Sequence, residues 1–104
     1  MPTVRDLLEL EYNGRRPVGS HTTNSSLSAA VTITIPTGAN KLMWLALAKN
    51  IRFTLDGTTP TANVGFRLGY QYNTSPMVIS VSPAMTIKVI EEAASATLDY
   101  QFFR

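Results

Sequence analysis

A strand, a sharp polar turn and a return strand form the most regular feature of this chain. Over residues 51–55 apolar side chains alternate with polar ones, which is the period-two pattern of a strand with one buried face. Asp56 and Gly57 then interrupt the pattern, and a second short strand follows at 64–68. A glycine that follows aspartate at a strand end is expected to adopt a positive φ, so this unit predicts a tight turn that joins two strands.

Similar runs continue along the rest of the chain, separated by turn residues at the spacing of an all-β protein. The predicted strands lie at residues 31–35, 42–48, 51–55, 64–70, 77–81, 85–89 and 96–102. We therefore predict an all-β fold, an antiparallel β-sandwich of jelly-roll or immunoglobulin-like topology with an N-terminal arm. The side chains expected inside it occupy the apolar phase of successive strands: Ile33, Trp44, Phe53, Phe66, Ile79, Ile87 and Tyr100.

The run at 42–48 is apolar on both phases of the alternation. This pattern indicates a central strand that is covered on each side, or a strand at an interface. A short buried helix is the alternative, because leucine, methionine and alanine also favour helix.

The N-terminal part has a different character and divides the chain into two regions, 1–28 and 29–104. Leu7, Leu8 and Leu10 form an apolar cluster ahead of a small, polar stretch. We interpret residues 1–28 as an arm and linker whose leucines contact a partner, because such a cluster has little reason to exist on a detached arm that docks on nothing. One alternative is that these leucines pack back on their own sandwich. Another is that this region is the first strand and loop of the sandwich.

Composition narrows the classes of function. Only 15% of the 104 residues are charged, against about 25% in a typical domain. Uncharged polar side chains cost less to desolvate than charged ones, so such a surface suits contact with other protein.

The net charge of +2 comes from scattered basic residues, which argues against nucleic-acid binding. No run approaches the roughly 20 apolar residues of a membrane span, and no export signal is evident, so we expect synthesis in a cytoplasm and no membrane partner.

The chain offers little material for catalysis. His21 is the single histidine and there is no cysteine, while the acidic residues have no spacing that converges on a cation. We therefore expect a protein that is not an enzyme and holds no metal or cofactor. Tyr70 and Tyr72, in a turn-rich segment, are the best candidates for exposed contact residues.

A resemblance to a known class of proteins covers the chain from Ile35 to the C-terminus. It is carried, in order, by the segments Ile-Pro-Thr-Gly-Ala-Asn-Lys, Ile-Arg-Phe-Thr-Leu-Asp-Gly-Thr-Thr-Pro-Thr, Gly-Phe-Arg-Leu, Thr-Ile-Lys-Val-Ile-Glu-Glu-Ala-Ala and Leu-Asp-Tyr-Gln-Phe. In this order of segments the chain resembles small structural proteins encoded in the head gene clusters of tailed bacteriophages and prophages. The N-terminal region has no counterpart in the resemblance.

The resemblance implies a capsid decoration or cement protein, a small β-sandwich that binds a formed shell and stabilises it. The implied partners are the major capsid protein and further copies of the same chain, as a dimer or trimer. The implied location is the capsid surface of the virion, after synthesis in the host cytoplasm. The alternative is a carbohydrate-binding or adhesion module of a phage tail or fibre. An exposed coplanar pair of aromatic rings would favour that alternative, whereas buried aromatic residues and an apolar patch at a flank of the sandwich would favour the decoration protein.

Overall fold

Eight antiparallel strands form two four-stranded sheets that pack face to face. The computed structural model describes residues 16–70 and 76–104, and within these ranges every regular element is a strand. The strands are β1 (Pro17–Asn24), β2 (Val31–Ile33), β3 (Lys41–Leu47), β4 (Ile51–Thr54), β5 (Phe66–Leu68), β6 (Met77–Ser80), β7 (Ile87–Glu91) and β8 (Thr97–Phe103). The predicted all-β sandwich is confirmed.

The order of strands decides between the two topologies that the sequence left open. One sheet has the order β1-β8-β3-β6 and the other has the order β2-β7-β4-β5. The first strand therefore pairs with the last, the second with the seventh, the third with the sixth and the fourth with the fifth, all antiparallel. This is the connectivity of a jelly roll, whereas an immunoglobulin-like domain places strands A, B, E and D in one sheet and C, F and G in the other.

Short connections show which strands face each other across the sandwich. Residues 48–50 lead from β3 in one sheet to β4 in the other, and residues 92–96 lead from β7 to β8. Ala48 and Ser95 take positive φ values of 70° and 73° in these connections. Because β3 faces β4 and β8 faces β7, the outer strands β6 and β5 lie together along one flank, and β1 and β2 lie along the other.

The core between the sheets contains 15 buried apolar residues from the described part of the chain. Four of the seven predicted core residues are among them, namely Ile33, Trp44, Phe53 and Ile87. Ile79 and Tyr100 are partly buried and pack against this core. The prediction for Phe66 is wrong, because 67% of its surface is exposed. Its strand, β5, lies at the edge of a sheet, where the opposing sheet does not cover it.

The first strand corrects the interpretation of residues 1–28 as arm and linker. Pro17–Asn24 pairs along β8, and Arg16 exchanges two backbone hydrogen bonds of 2.9 Å with Arg104. Leu27 is fully buried. Residues 17–27 therefore belong to the sandwich, and the alternative of a first strand and loop holds for this stretch. Its polar sequence is compatible with a strand because an edge strand gains much of its stability from backbone pairing.

The run at 42–48 is a central strand, so the helix alternative is wrong. Strand β3 lies between β8 and β6. Leu42, Trp44 and Ala46 are buried in the core, while the alternate side chains of β3 are half-buried on the outer face. Both faces of this central strand are at least partly covered, which explains why its side chains are apolar on both phases.

Candidate interaction surface

The exposed apolar side chains of the described residues are concentrated on one flank of the sandwich. Five large apolar residues are exposed, and all lie on β5 and β6 or beside β5: Val64, Phe66, Tyr70, Met77 and Val78. Since β5 and β6 are the neighbouring edges of the two sheets, these five residues share one side of the sandwich, which we call the apolar flank. Exposed apolar patches on a small protein mark sites that contact protein, membrane or ligand.

Phe66 lies on the core-facing side of its strand although it is exposed. It pairs in register with Phe53, which is only 6% exposed. The ring centroids of Phe66 and Phe53 are 5.7 Å apart, and those of Phe53 and Trp44 are 4.6 Å apart. A row of aromatic rings thus leads from the centre of the core to the surface. Any partner that covers Phe66 extends the packed core of the protein.

Gly65 brings the backbone before Phe66 close to β4. It has a φ of 121°, and a Cβ atom at this position would lie 2.9 Å from the carbonyl oxygen of Phe53. Only glycine fits both the conformation and the space. The close approach of the two strands therefore depends on this residue, and with it the position of the Phe66 ring.

The Asp56-Gly57 turn closes a shallow groove of about 510 Å³ next to Phe66. The groove is lined by Thr54, Leu55, Asp56, Thr58, Gly65 and Phe66. Gly57 has a φ of 86°, which confirms the prediction from the sequence. The backbone N–H of Thr58 donates to Asp56 Oδ1 at 3.0 Å. This hydrogen bond lowers the pKa of Asp56 below its usual value of 3.8, so the groove carries a carboxylate at its rim.

Two arginines and one glutamate lie on the outer face of the sheet behind this groove. Glu92 Oε2 accepts hydrogen bonds from Nε of Arg52 at 2.9 Å and from Nε of Arg67 at 2.8 Å. Arg67 Nη2 also donates to Glu92 Oε1 at 3.0 Å, and Arg52 Nη1 donates to the carbonyl oxygen of Gly65 at 3.0 Å. The hydrogen bonds from Arg67, followed by the charges of both arginines, lower the pKa of Glu92. The cluster joins β4, β5 and the residue after β7, and it offsets part of the positive charge near the apolar flank.

Of the predicted contact residues, the structure describes Tyr70. It is 37% exposed on the apolar flank, and its backbone N–H donates to Asn50 Oδ1 at 3.0 Å. Leu7, Leu8, Leu10 and Tyr72 lie outside the described residues. Their part in a contact stays a prediction.

His21 lies on β1, at the opposite edge of its sheet from β6. Its Nε2 is 3.3 Å from Asp99 Oδ1, and Thr23 also donates a hydrogen bond to this oxygen. A neighbouring hollow of about 150 Å³ on the outer face of the β1-containing sheet is mostly apolar. This arrangement supports the attachment of β1 to β8.

In residues 16–70 and 76–104 there is no group of three or more histidine, aspartate or glutamate side chains that could hold a metal ion. No helix of the described part is long and apolar enough to cross a membrane.

Sequence reasoning missed four of the five residues of the apolar flank. Phe66 has the alternation of a core residue, and alternation does not reveal whether a strand lies at an edge. For β6 a signal was present, because Met77, Val78 and Ile79 are apolar on both phases and residues 76–83 contain no charge. Natural edge strands usually carry charges or prolines that prevent pairing with other chains, so an uncharged apolar edge indicates a contact.

Comparisons with protein-family models, with curated proteins and with solved structures found no match to this chain.

Proposed function

We propose that this chain is a non-enzymatic structural protein of a phage virion, a capsid decoration or cement protein that binds the major capsid protein and copies of itself. The observation that carries the proposal is the apolar flank, a group of exposed apolar residues on two adjacent sheet edges. An apolar patch at a flank is what a decoration protein requires. The order of sequence segments from Ile35 onwards, which resembles phage head proteins, supports the same function.

The proposed mechanism is attachment at many weak sites. Each copy contributes a rigid jelly roll, with an interaction surface on the apolar flank and further contacts from Leu7, Leu8 and Leu10 and from the segment with Tyr70 and Tyr72. A shell repeats its binding site by symmetry, so copies that contact both the shell and each other are retained even when one site binds weakly. The protein is synthesised in the host cytoplasm. It then binds to the capsid surface and stabilises it.

Co-sedimentation with undecorated heads of the source phage tests this function. The full chain should sediment with the heads and reach a saturating stoichiometry. Phe66→Ser should reduce the bound amount several-fold, because it removes the largest exposed apolar group of the flank. It should cost on the order of 1 kcal/mol of folding stability, since the ring contacts mainly Phe53.

The control variant is Thr32→Ala, an exposed residue on β2 at the opposite edge of the same sheet. It should bind heads like the unchanged protein, and circular dichroism should show both variants folded. Full-length protein that stays in the supernatant with intact heads would overturn the proposal. Saturable binding to surface polysaccharides, weakened by Tyr70→Ala, would favour the alternative of a carbohydrate-binding or adhesion module.

A further inference from the structure

Among the edge strands of the described residues, β6 has the least protection against pairing. Strand β1 has a register shift between Val18 and Thr22, and β2 and β5 are only three residues long. Strand β6 has four residues, Met77–Ser80, and none is charged. Bulges, short length and charge are the devices that protect edges, and β6 has neither a bulge nor a charge.

The hydrogen-bonding pattern of the sheet shows which groups β6 turns to its free side. Arg16 and Arg104 exchange both of their hydrogen bonds, and Val81 donates its N–H to the carbonyl oxygen of Asn40. The backbone N–H and C=O groups of successive residues on a strand point to opposite sides. These two contacts therefore show, for the residues of β1, β8, β3 and β6, which neighbouring strand the backbone groups face. Met77 and Ile79 therefore direct their backbone groups towards β3. Val78 directs its N–H and C=O away from the sheet.

The side chains of β6 specify what kind of strand fits beside it. Met77 is 41% exposed on the core-facing side and Val78 is 38% exposed on the outer side. A neighbouring strand that buries both must itself be apolar on both faces. Residues 4–10 do not meet this condition, because Arg5, Asp6 and Glu9 place charges on both phases. Strand β6 itself meets it, with Met77 and Ile79 on one face and Val78 on the other.

We propose that the partner on this edge is a second copy of the chain, and that two β6 strands pair antiparallel around a two-fold axis through Val78. The proposal builds on the assembly role of the apolar flank proposed above and names its occupant. In this register the two Val78 residues exchange hydrogen bonds, and Met77 of each copy lies beside Ile79 of the other. Side chains of equal phase lie opposite each other, so core-facing residues meet core-facing residues.

Symmetry extends the contact from one sheet to both. A two-fold axis at β6 joins the two β1-β8-β3-β6 sheets into one sheet of eight strands. Strand β5 lies on the same flank, so the axis also brings the exposed Phe66 of each copy towards the other. The apolar flank is then covered by a single self-complementary contact.

The charges near the axis are compatible with this pairing. Lys41 Nζ donates to Ser80 Oγ at 2.9 Å, and Ser80 lies two residues from Val78. The two Lys41 side chains of a dimer would therefore extend from points about 13 Å apart, at a rise of about 3.3 Å per residue. The carboxylate of Glu92 offsets the charge of Arg67 on β5.

Analytical ultracentrifugation of the full chain, without phage particles, tests the inference. The mass should rise with concentration from 11.4 kDa to twice that value. Val78→Lys places two like charges opposite each other at the axis and should raise the dimer dissociation constant by at least about tenfold. Val78→Thr keeps the branched shape without a charge and serves as the matched control, with a much smaller effect.

Chemical cross-linking gives a second test, which does not rely on a substitution that weakens the dimer. The natural sequence has no cysteine, so Val78→Cys introduces a single thiol. A short bismaleimide should cross-link this variant efficiently, whereas Thr32→Cys at the opposite edge of the molecule should remain uncross-linked. The melting temperature of every variant shows whether it is folded.

Three results would overturn the inference. The first is a full chain that stays monomeric at all concentrations, and the second is a dimer that Val78→Lys leaves unchanged. The third is a dimer that forms only after residues 1–15 are deleted, since the chain's own N-terminal segment would then occupy the edge. A dimer in solution together with no binding to heads would instead contradict the proposed function alone.

Discussion

The position of the exposed aromatic ring depends on a glycine rather than on the aromatic residue itself. Gly65 lies where β5 approaches β4 so closely that a Cβ would meet the backbone of Phe53 at 2.9 Å. Its φ of 121° is also unfavourable for other residues. Gly57 has a positive φ as well, but a Cβ there would lie 3.6 Å from Thr86, which is an ordinary contact. A side chain at Gly57 would therefore cause conformational strain alone, whereas a side chain at Gly65 would cause both strain and steric overlap.

Gly65→Ala should therefore destabilise the fold more than Gly57→Ala. Conformational strain alone should cost on the order of 1 kcal/mol at Gly57, and the backbone overlap at Gly65 should bring its cost to about 2 kcal/mol or more. Urea denaturation of both variants measures the difference. Equal midpoints for the two variants would show that β5 moves away from β4 without cost.

Glu92 predicts a dependence of stability on pH. Its pKa in the folded state lies below the usual value of 4.5 because Arg67 and Arg52 stabilise the carboxylate. The unfolded chain therefore binds the proton more tightly than the folded chain. The stabilisation by Glu92 is fully present above about pH 4.5 and is lost as the pH falls through the lower, folded-state pKa.

Comparison of the natural protein with Glu92→Gln checks this dependence. The difference in urea midpoint between them should be larger at pH 7 than at pH 3, and it should shrink when salt is added. Glu91→Gln removes a neighbouring carboxylate and serves as the control. A difference that stays constant between pH 7 and pH 3 would contradict the role of the two arginines.

At the level of elements, β1 is the strand that sequence reasoning could not find. Its segment Gly19-Ser20-His21-Thr22-Thr23 lacks alternating apolar residues, and Gly19 and Pro17 are signals for turns. The strand forms because β8 offers a complete edge to pair with, which is information from the other end of the chain. The strands from β2 to β8 were found because each is a short apolar or alternating run bounded by turn residues.

Two truncations measure what β1 contributes. Deleting residues 1–15 leaves all eight described strands and serves as the reference truncation. Deleting residues 1–24 removes β1, exposes one side of β8 and uncovers Tyr100 and Phe102, so the melting temperature should fall sharply or cooperative unfolding should be lost. Thermal denaturation followed by near-ultraviolet circular dichroism distinguishes the two. Similar melting temperatures for both truncations would show that the edge strand is dispensable.

The candidate surface was predictable to a lesser extent than the strands. Tyr70 was identified from its turn-rich surroundings, while Phe66 was assigned to the core. Alternation reports which side of a strand faces the opposing sheet, but coverage depends on the order of strands in both sheets. That order arises from pairings between residues far apart in the chain, as between β1 and β8, and local patterns do not encode them.

For the whole molecule, the jelly-roll order places Arg16, the first described residue, beside Arg104. Sequence alone left jelly-roll and immunoglobulin-like sandwiches as equal possibilities, since both consist of short alternating strands. Pairing of β1 with β8 and of β2 with β7 decides between them. The same order places two edge strands with exposed apolar residues on one flank, so the surface proposed for assembly is a result of topology and not of any single motif.

The central position of β8 has a consequence for how the protein is made. Thr97–Phe103 lies between β1 and β3, although it is the last of the described strands in chain order. While the ribosome still holds these residues, β1 has no partner and one side of β3 is open. The sandwich therefore cannot close until Thr97–Phe103 has left the ribosome, and the pairing that completes it is long-range and slow. Each copy must complete its own fold before it can present a finished edge to another molecule.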